Sequence, residues 1–120
     1  MAKVNLVDKK VQLTRSEIIK FQLISHCYFR KLAVSESDYN CLTLLGGLGE
    51  SDLTEFCTLA ASYNIFKTTQ TVRNCLVKME KQGLISKEGR SKKRIALKPD
   101  LKIQTAGNVL LNYKVFYIES

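Results

Sequence analysis

Apolar residues recur in steps of three and four through the first two thirds of the chain, the spacing of helices that bury one face. The first such stretch predicts a helix over about 15–33. It follows Thr14-Arg15-Ser16-Glu17, a capping box in which a hydroxyl and a carboxylate satisfy free amides at the helix start. Its predicted buried face is the stripe formed by Ile18, Phe21, Ile24, Tyr28 and Leu32.

Two shorter helices are predicted next. One begins after the cap-rich segment 35–38 and runs to about Leu45, where Gly46-Gly47 and Gly49 indicate its end. Close packing is the other explanation of the glycine pair. The third helix follows the cap Asp52 and runs to about residue 63. Its predicted inward residues are Leu53, Phe56, Ala60 and Tyr63.

The segment 68–98 joins a fourth helix to an alternating pattern. Thr68 or Thr69 caps this helix, which ends at Gly83, and its predicted buried residues are Val72, Leu76 and Met79. Two short strands follow, at about 84–87 and 94–98, with a basic loop between them. The order helix, turn, helix and β-hairpin is typical of a winged helix-turn-helix domain.

The two ends of the chain alternate with a period of two residues. Residues 3–13 predict a short strand or an extended arm. The β-branched and aromatic content of 109–118 favours a strand over a helix. Residues 106–108 would then be a turn after 102–105, unless the tail strand pairs with 3–13 or with the edge of another chain.

The predicted fold class is therefore α+β, mainly α: four helices followed by a β-wing, with an extra C-terminal strand or hairpin. The predicted organisation is an N-terminal arm or strand (1–13), a winged-helix domain (14–98) and a C-terminal extension (99–120) packed on that domain. A length of 120 residues with 45% hydrophobic residues suits one domain with a small core.

The formal net charge of +8 is unevenly placed. Residues 1–60 hold seven Lys/Arg and seven Asp/Glu, whereas residues 61–120 hold twelve Lys/Arg and four Asp/Glu. Six of the twelve residues from Lys87 to Lys98 are basic, against one Glu. Positive charge concentrated on one structural unit indicates a polyanionic partner, because lysine and arginine neutralise phosphates and release counterions.

The outward face of the fourth helix carries groups that can read DNA. If Val72 and Leu76 are inward, Gln70, Asn74, Lys78 and Lys81 point outward, flanked by Thr71 and Arg73. Gln and Asn can pair with adenine and Arg with guanine, while threonines at a helix start can hold phosphate. The predicted contact residues are Thr68, Thr69, Gln70, Thr71, Arg73, Asn74 and Lys78 on the helix, and Lys87, Arg90, Ser91, Lys92, Lys93 and Arg94 on the wing.

An ordinary solvated helix face explains the helix residues equally well when they are taken alone. The basic wing favours nucleic-acid binding. In this interpretation helix 68–83 reads the major groove and the wing 87–98 contacts phosphates or the minor groove.

The segment 72–100 resembles the core of winged-helix transcription regulators of the multiple-antibiotic-resistance-regulator (MarR) type. In that family the recognition helix ends in a Leu-x-x-x-Gly-Leu-Ile-like phrase, followed by a charged wing with an acidic-x-Arg element and a strand. The matching pieces are 79–85, Glu88-Gly89-Arg90-Ser91 and 94–97. With the preceding helices in the family's order, the resemblance covers about 15–98.

The resemblance implies a homodimeric, DNA-binding repressor or activator. It places base or phosphate contact on Thr69, Gln70, Thr71, Arg73 and Asn74, and minor-groove or backbone contact on Arg90, with Lys92 and Lys93 near it. Members of the family dimerise through a long C-terminal helix packed with the first helix. The tail of this chain has the pattern of a strand instead.

Two functions follow as hypotheses. The first is a sequence-selective binder of double-stranded DNA that regulates transcription. The alternative is a winged-helix scaffold or assembly subunit that mediates protein association through the apolar tail 109–118, with only non-specific nucleic-acid contact. RNA binding is a third reading, which no ribonucleoprotein-type aromatic motif supports.

The sequence offers no catalytic or metal-ligating constellation, so we predict no enzyme activity, cofactor or metal. His26 and Cys27 are adjacent and would point about 100° apart on a helix. The four cysteines (27, 41, 57 and 75) match no zinc spacing and are interpreted as small buried residues in a reducing compartment. The glycines at 46–49 lack the Lys-Ser/Thr of a phosphate loop.

No apolar run approaches the roughly 20 residues that cross a bilayer, and the N-terminus lacks a signal-peptide pattern. We therefore expect a cytoplasmic protein without membrane contact, associated with the nucleoid if it is bacterial or viral.

Overall fold

The computed structural model describes residues 2–89 and 93–118. Four helices and a three-stranded sheet form a winged-helix body, which confirms the predicted fold class, and two long strands form a separate ribbon. The elements are β1 (Ala2–Val11), α1 (Arg15–Phe29), α2 (Glu36–Leu48), β2 (Glu50–Asp52), α3 (Leu53–Ser62), α4 (Thr69–Lys81), β3 (Ile85–Glu88), β4 (Arg94–Leu97), a 3₁₀ turn (Pro99–Leu101) and β5 (Val109–Ile118).

All four helices begin at side-chain caps. Thr14 forms a capping box with Glu17, and Ser35 forms one with Asp38. The side chains of Asp52 and Thr68 accept amide hydrogen bonds at the starts of α3 and α4. Each cap satisfies donors that no helical carbonyl can reach, which fixes where the helix begins.

The core lies between the four helices and the wing sheet. Its fully buried members include Leu42 and Leu45 of α2, Phe56 of α3, Leu76 and Met79 of α4, and Ile95 of β4. All four cysteines are buried free thiols, as the sequence suggested.

The predicted buried face of α1 is wrong in most of its members. Ile19, Leu23 and Cys27 are buried together with Ile18, whereas Phe21, Ile24 and Tyr28 are exposed. Both stripes have helical spacing and both are apolar. Periodicity therefore could not select between them, and packing against α2 did.

The predicted end of α2 is also corrected. The helix continues to Leu48 and ends at Gly49, whose φ of 83° is the left-handed conformation that glycine tolerates. Gly46 lies inside the helix, where a Cβ atom would come 2.8 Å from Leu97 Cδ1 and 3.0 Å from Ile19 Cγ2. Close packing, not a helix end, explains this glycine.

The wing sheet has a third strand that the sequence did not predict. Its order is β2-β4-β3, with Glu50 opposite Ala96 and Asp52 opposite Arg94. Three residues are too few to show alternation. In α3, Tyr63 was predicted to be inward but is 63% exposed, because the helix ends one residue earlier.

The C-terminal tail is a strand, as predicted, and its partner is β1. The two strands pair antiparallel over their full length, from Ala2↔Ile118 to Val11↔Val109. The alternative hairpin with 102–105 is wrong, since that segment forms no strand. This β1–β5 ribbon contributes to the elongated shape of the molecule, which measures 59 × 31 × 27 Å.

Candidate nucleic-acid interface

The core of the candidate site is the unit formed by α3, a short turn and α4. Val72, Leu76 and Met79 are buried as predicted, together with Cys75. Gln70, Asn74 and Lys78 lie on exposed positions of the same helix. The local sequence therefore orients α4 with one apolar face inward and one polar face towards solvent.

The positive end of the helix dipole lies at the first turn of α4, where no acidic side chain compensates it. The Thr68 hydroxyl accepts the N–H of Thr71 at 3.2 Å, and the two threonine hydroxyl oxygens lie 2.9 Å apart. The first turn contains no acidic residue. Free amides and the helix dipole at such an end attract anions, including the phosphates of nucleic acids.

The two predicted base-reading amides lie side by side. The Nε2 atom of Gln70 donates to Oδ1 of Asn74 at 3.0 Å, one helical turn away. Both side chains belong to exposed residues. The pair holds two neighbouring amides at adjacent positions of the outward face, where each keeps further donors and acceptors free for base edges.

Two other residues that were predicted to contact DNA form contacts with side chains of the protein itself. Arg73 is half-buried, and its guanidinium donates to the Thr54 hydroxyl of α3 at 3.3 Å. Lys78 Nζ lies 3.1 Å from Oδ2 of Asp38, which is only 5% exposed. These contacts tie α4 to α3 and to the start of α2, so neither cation is fully available to a ligand.

Asp38 is ionised within this network. Burial raises the pKa of its carboxyl, but hydrogen bonds from the Ser35 backbone, the Cys75 thiol and the Lys78 ammonium together lower that pKa below its ordinary value of 3.8. The carboxylate thus completes the capping box of Ser35 at the start of α2 and is also the counterion of a cation on α4. The sequence pattern indicated only the capping role, because Lys78 is 40 positions away.

The wing brings further basic residues beside the helix pair. The amide of Leu53, the first residue of α3, donates to the Lys93 carbonyl at 2.7 Å, which fixes the start of β4 next to α3. Lys93 is exposed. Lys87 lies 3.8 Å from a carboxylate oxygen of Glu80, and Arg94 Nε donates to Glu50 at 2.9 Å. The predicted contacts Arg90, Ser91 and Lys92 lie outside the described residues.

Comparison with solved structures identifies the architecture. The chain superposes on a zinc uptake regulator solved in complex with zinc and DNA, with a TM-score of 0.57 and 20% sequence identity. The match covers 72% of this chain and 57% of the regulator, so the chain spans little more than half of the regulator's length. The fold is a winged helix. No protein-family model matches the sequence, and no curated protein matches it.

Within residues 2–89 and 93–118, no three His, Cys, Asp or Glu side chains cluster as a metal site would require. Burial raises the pKa of the Cys57 thiol. A hydrogen bond with Cys41 is the largest cause that raises the pKa of the Cys75 thiol, and burial is the second. Both thiols are therefore held in the protonated form in the folded chain. The helices of the described chain include none that is long and apolar enough to cross a membrane.

Proposed function

We propose that this protein is a DNA-binding regulator of transcription, in which α4 reads the major groove of double-stranded DNA. One observation carries the proposal: the exposed face of α4 presents adjacent amides and an uncompensated helix start in a helix-turn-helix beside a basic wing. The solved regulator with the same fold is complexed with DNA, which supports the proposal by analogy of fold.

The contact residues divide into two roles in this proposal. Thr69, Gln70, Thr71 and Asn74 face base edges or the nearest phosphates. The wing contributes affinity through the exposed Lys93 and, on the sequence alone, through its neighbours Arg90, Ser91 and Lys92. Lys78, Lys87, Arg73 and Arg94 contribute mainly through the positive potential, because each already contacts another side chain.

The MarR-type assignment is part of the same proposal and rests on the residues 79–85 and on the acidic-x-Arg element of the wing. The proposal assigns the winged-helix function to 14–98. The ends 1–13 and 99–120 form an accessory extension, since the ribbon replaces the family's C-terminal dimerisation helix.

A DNA-selection experiment followed by binding titrations tests the proposal. Selection from random duplexes should enrich a defined motif. The logarithm of the association constant for that motif should fall linearly with the logarithm of the salt concentration, because phosphate contacts release counterions. No enrichment together with a slope near zero would reject DNA binding.

Matched variants separate the two roles. Asn74→Ala or Gln70→Ala should change the enriched motif, at about 1–3 kcal/mol per lost base contact. Lys93→Gln should weaken binding to all sequences alike and make the salt slope shallower by about one. Lys31→Gln, a single neutralisation on the loop after α1, is the charge-matched control and should leave the slope unchanged.

The exposed apolar ribbon favours a second candidate function, protein association. In that case the basic wing would bind duplexes without selection. The same selection experiment separates the two: a salt-dependent binder that enriches no motif is a non-specific nucleic-acid contact of an assembly subunit.

A further inference from the structure

The β1–β5 ribbon exposes apolar side chains on both of its strands. In the part of the chain that the structure describes, each of its ten-residue strands pairs with the other and with no third strand. Leu6, Leu110 and Phe116 are 61%, 69% and 67% exposed. A two-stranded ribbon is at best marginally stable alone in water, so this one needs a covering partner.

The two edges of the ribbon differ in charge. Strand β1 includes Lys3, Lys9 and Lys10, whereas β5 includes one lysine, Lys114, and eight apolar residues among ten. Lysines on an edge strand discourage pairing with another strand, because their charge would be desolvated. The open edge of the ribbon is therefore that of β5.

We propose that β5 pairs antiparallel with β5 of a second copy of this chain. The result is a two-fold symmetric, four-stranded sheet in the order β1-β5-β5-β1. A register centred on Tyr113 sets position 116 opposite 110, position 115 opposite 111, and Lys114 opposite Asn112. Apolar positions then meet apolar positions, and no like charges face each other across the axis.

The exposed edge of β5 supplies part of the area that a dimer interface needs. Ten paired residues extend over about 34 Å. A buried aromatic side chain removes about 150–250 Å² from water, so the exposed portions of Tyr113 (52%) and Phe116 (67%) account for on the order of 200 Å² per protomer. Leu110, Val115 and the strand edge add to this, towards the roughly 800 Å² per partner of a stable interface.

A second copy is also the partner that the pattern of β5 favours. Any strand that docks here must be apolar at the positions facing 110, 113 and 116. Antiparallel pairing of β5 with itself meets that requirement by symmetry, and the partner is present at the concentration of the protein itself. The dimer deepens the proposed function by supplying two α4 helices for two half-sites.

The oligomeric state is measured without DNA, so failure of this inference is distinct from failure of DNA binding. Light scattering after size-exclusion chromatography at tens of micromolar should give twice the chain mass for the unsubstituted chain. An acidic variant, Leu110→Glu with Phe116→Glu, opposes like charges at both ends of the proposed interface. A basic variant, Leu110→Lys with Phe116→Lys, does the same.

Each variant alone should be monomeric, with the dimer dissociation constant raised about a hundredfold or more. An equimolar mixture of the two should recover the dimer mass, because every Glu then faces a Lys. The helical circular dichroism signal of both variants, and its loss in urea, should show a body as stable as that of the unsubstituted protein, since residues 110 and 116 are exposed and lie outside the core.

The competing surface is the exposed stripe of α1, where Tyr28 and Phe29 are 74% and 80% exposed. Tyr28→Glu with Phe29→Glu is the matched control and should remain dimeric. The inference is overturned by a monomeric unsubstituted chain, by ribbon variants that stay dimeric, by a mixture that stays monomeric, or by dissociation of the α1 variant.

Discussion

Asp38 joins the start of α2 to α4 through its contact with Lys78. Replacing it with asparagine keeps the size but removes the charge that Lys78 and the Ser35 amide contact. We expect Asp38→Asn to lower the free energy of unfolding by about 2 kcal/mol, the scale of charge-assisted hydrogen bonds at a partly buried site. Urea denaturation measures this change in the free energy of unfolding. Glu36→Gln, at an exposed pair with Lys20, is the control and should cost less than about 1 kcal/mol.

The same carboxyl makes stability depend on pH. Its pKa is lower in the folded than in the unfolded protein, so the folded state gains stability above the ordinary value of 3.8 and loses it as pH falls through the lower folded-state pKa. The difference in unfolding free energy between the unsubstituted protein and Asp38→Asn should therefore be constant near neutrality and shrink below about pH 4. A difference that stays constant to pH 2 would contradict the assignment.

At the scale of elements, the sequence predicted the features that depend on neighbouring residues. It did not predict those that depend on packing between distant segments. The helix starts at Thr14, Ser35, Asp52 and Thr68 were predictable because a cap and its amides lie within four residues. The buried face of α1 was not predictable, since two apolar stripes have helical spacing and only packing against α2 determines which of them is buried. The strand β2 was missed because three residues carry no period.

The candidate site shows the same division. The exposed face of α4 followed from its own period, including the neighbouring amides of Gln70 and Asn74. The partners of its cations did not follow: Asp38, Thr54 and Glu50 are far in sequence from Lys78, Arg73 and Arg94. Only the folded chain shows that these cations are already paired.

The adjacent glycines of α2 provide a test of close packing between elements. Gly47 has no neighbour within 4 Å of an added Cβ, whereas at Gly46 that atom would press on Leu97 and Ile19. Gly47→Ala should therefore stabilise the protein by about 0.5–1 kcal/mol through helix propensity. Gly46→Ala should be about 1–3 kcal/mol less stable than Gly47→Ala because of overpacking. Thermal and urea unfolding compare them, and equal gains at both positions would show that the contact with β4 is loose.

At the scale of the whole molecule, the protein consists of a body with a shared core and a two-stranded ribbon, whose described side chains include no member of that core. Gln22 of α1 links the body to the segment before β5 through paired hydrogen bonds with the Gln104 backbone, at 2.7 and 2.8 Å. This link holds the base of the ribbon, and among the described side chains further along it Leu110, Tyr113 and Phe116 are exposed. The ribbon should therefore open independently of the body, whose helices are stabilised by the core.

Amide hydrogen exchange at two protein concentrations measures that independence. In the proposed dimer, β5 amides at the new interface are protected only when two chains associate, so their exchange should slow as concentration rises through the dimer dissociation constant. Amides of α2 and α4 should exchange at the same rate at both concentrations, because the core they close is complete in one chain. The acidic ribbon variant supplies the reference, with fast β5 exchange at every concentration. Equal β5 protection in that variant and in the unsubstituted chain would mean that the ribbon is stable in the monomer, and that its apolar edge serves another purpose.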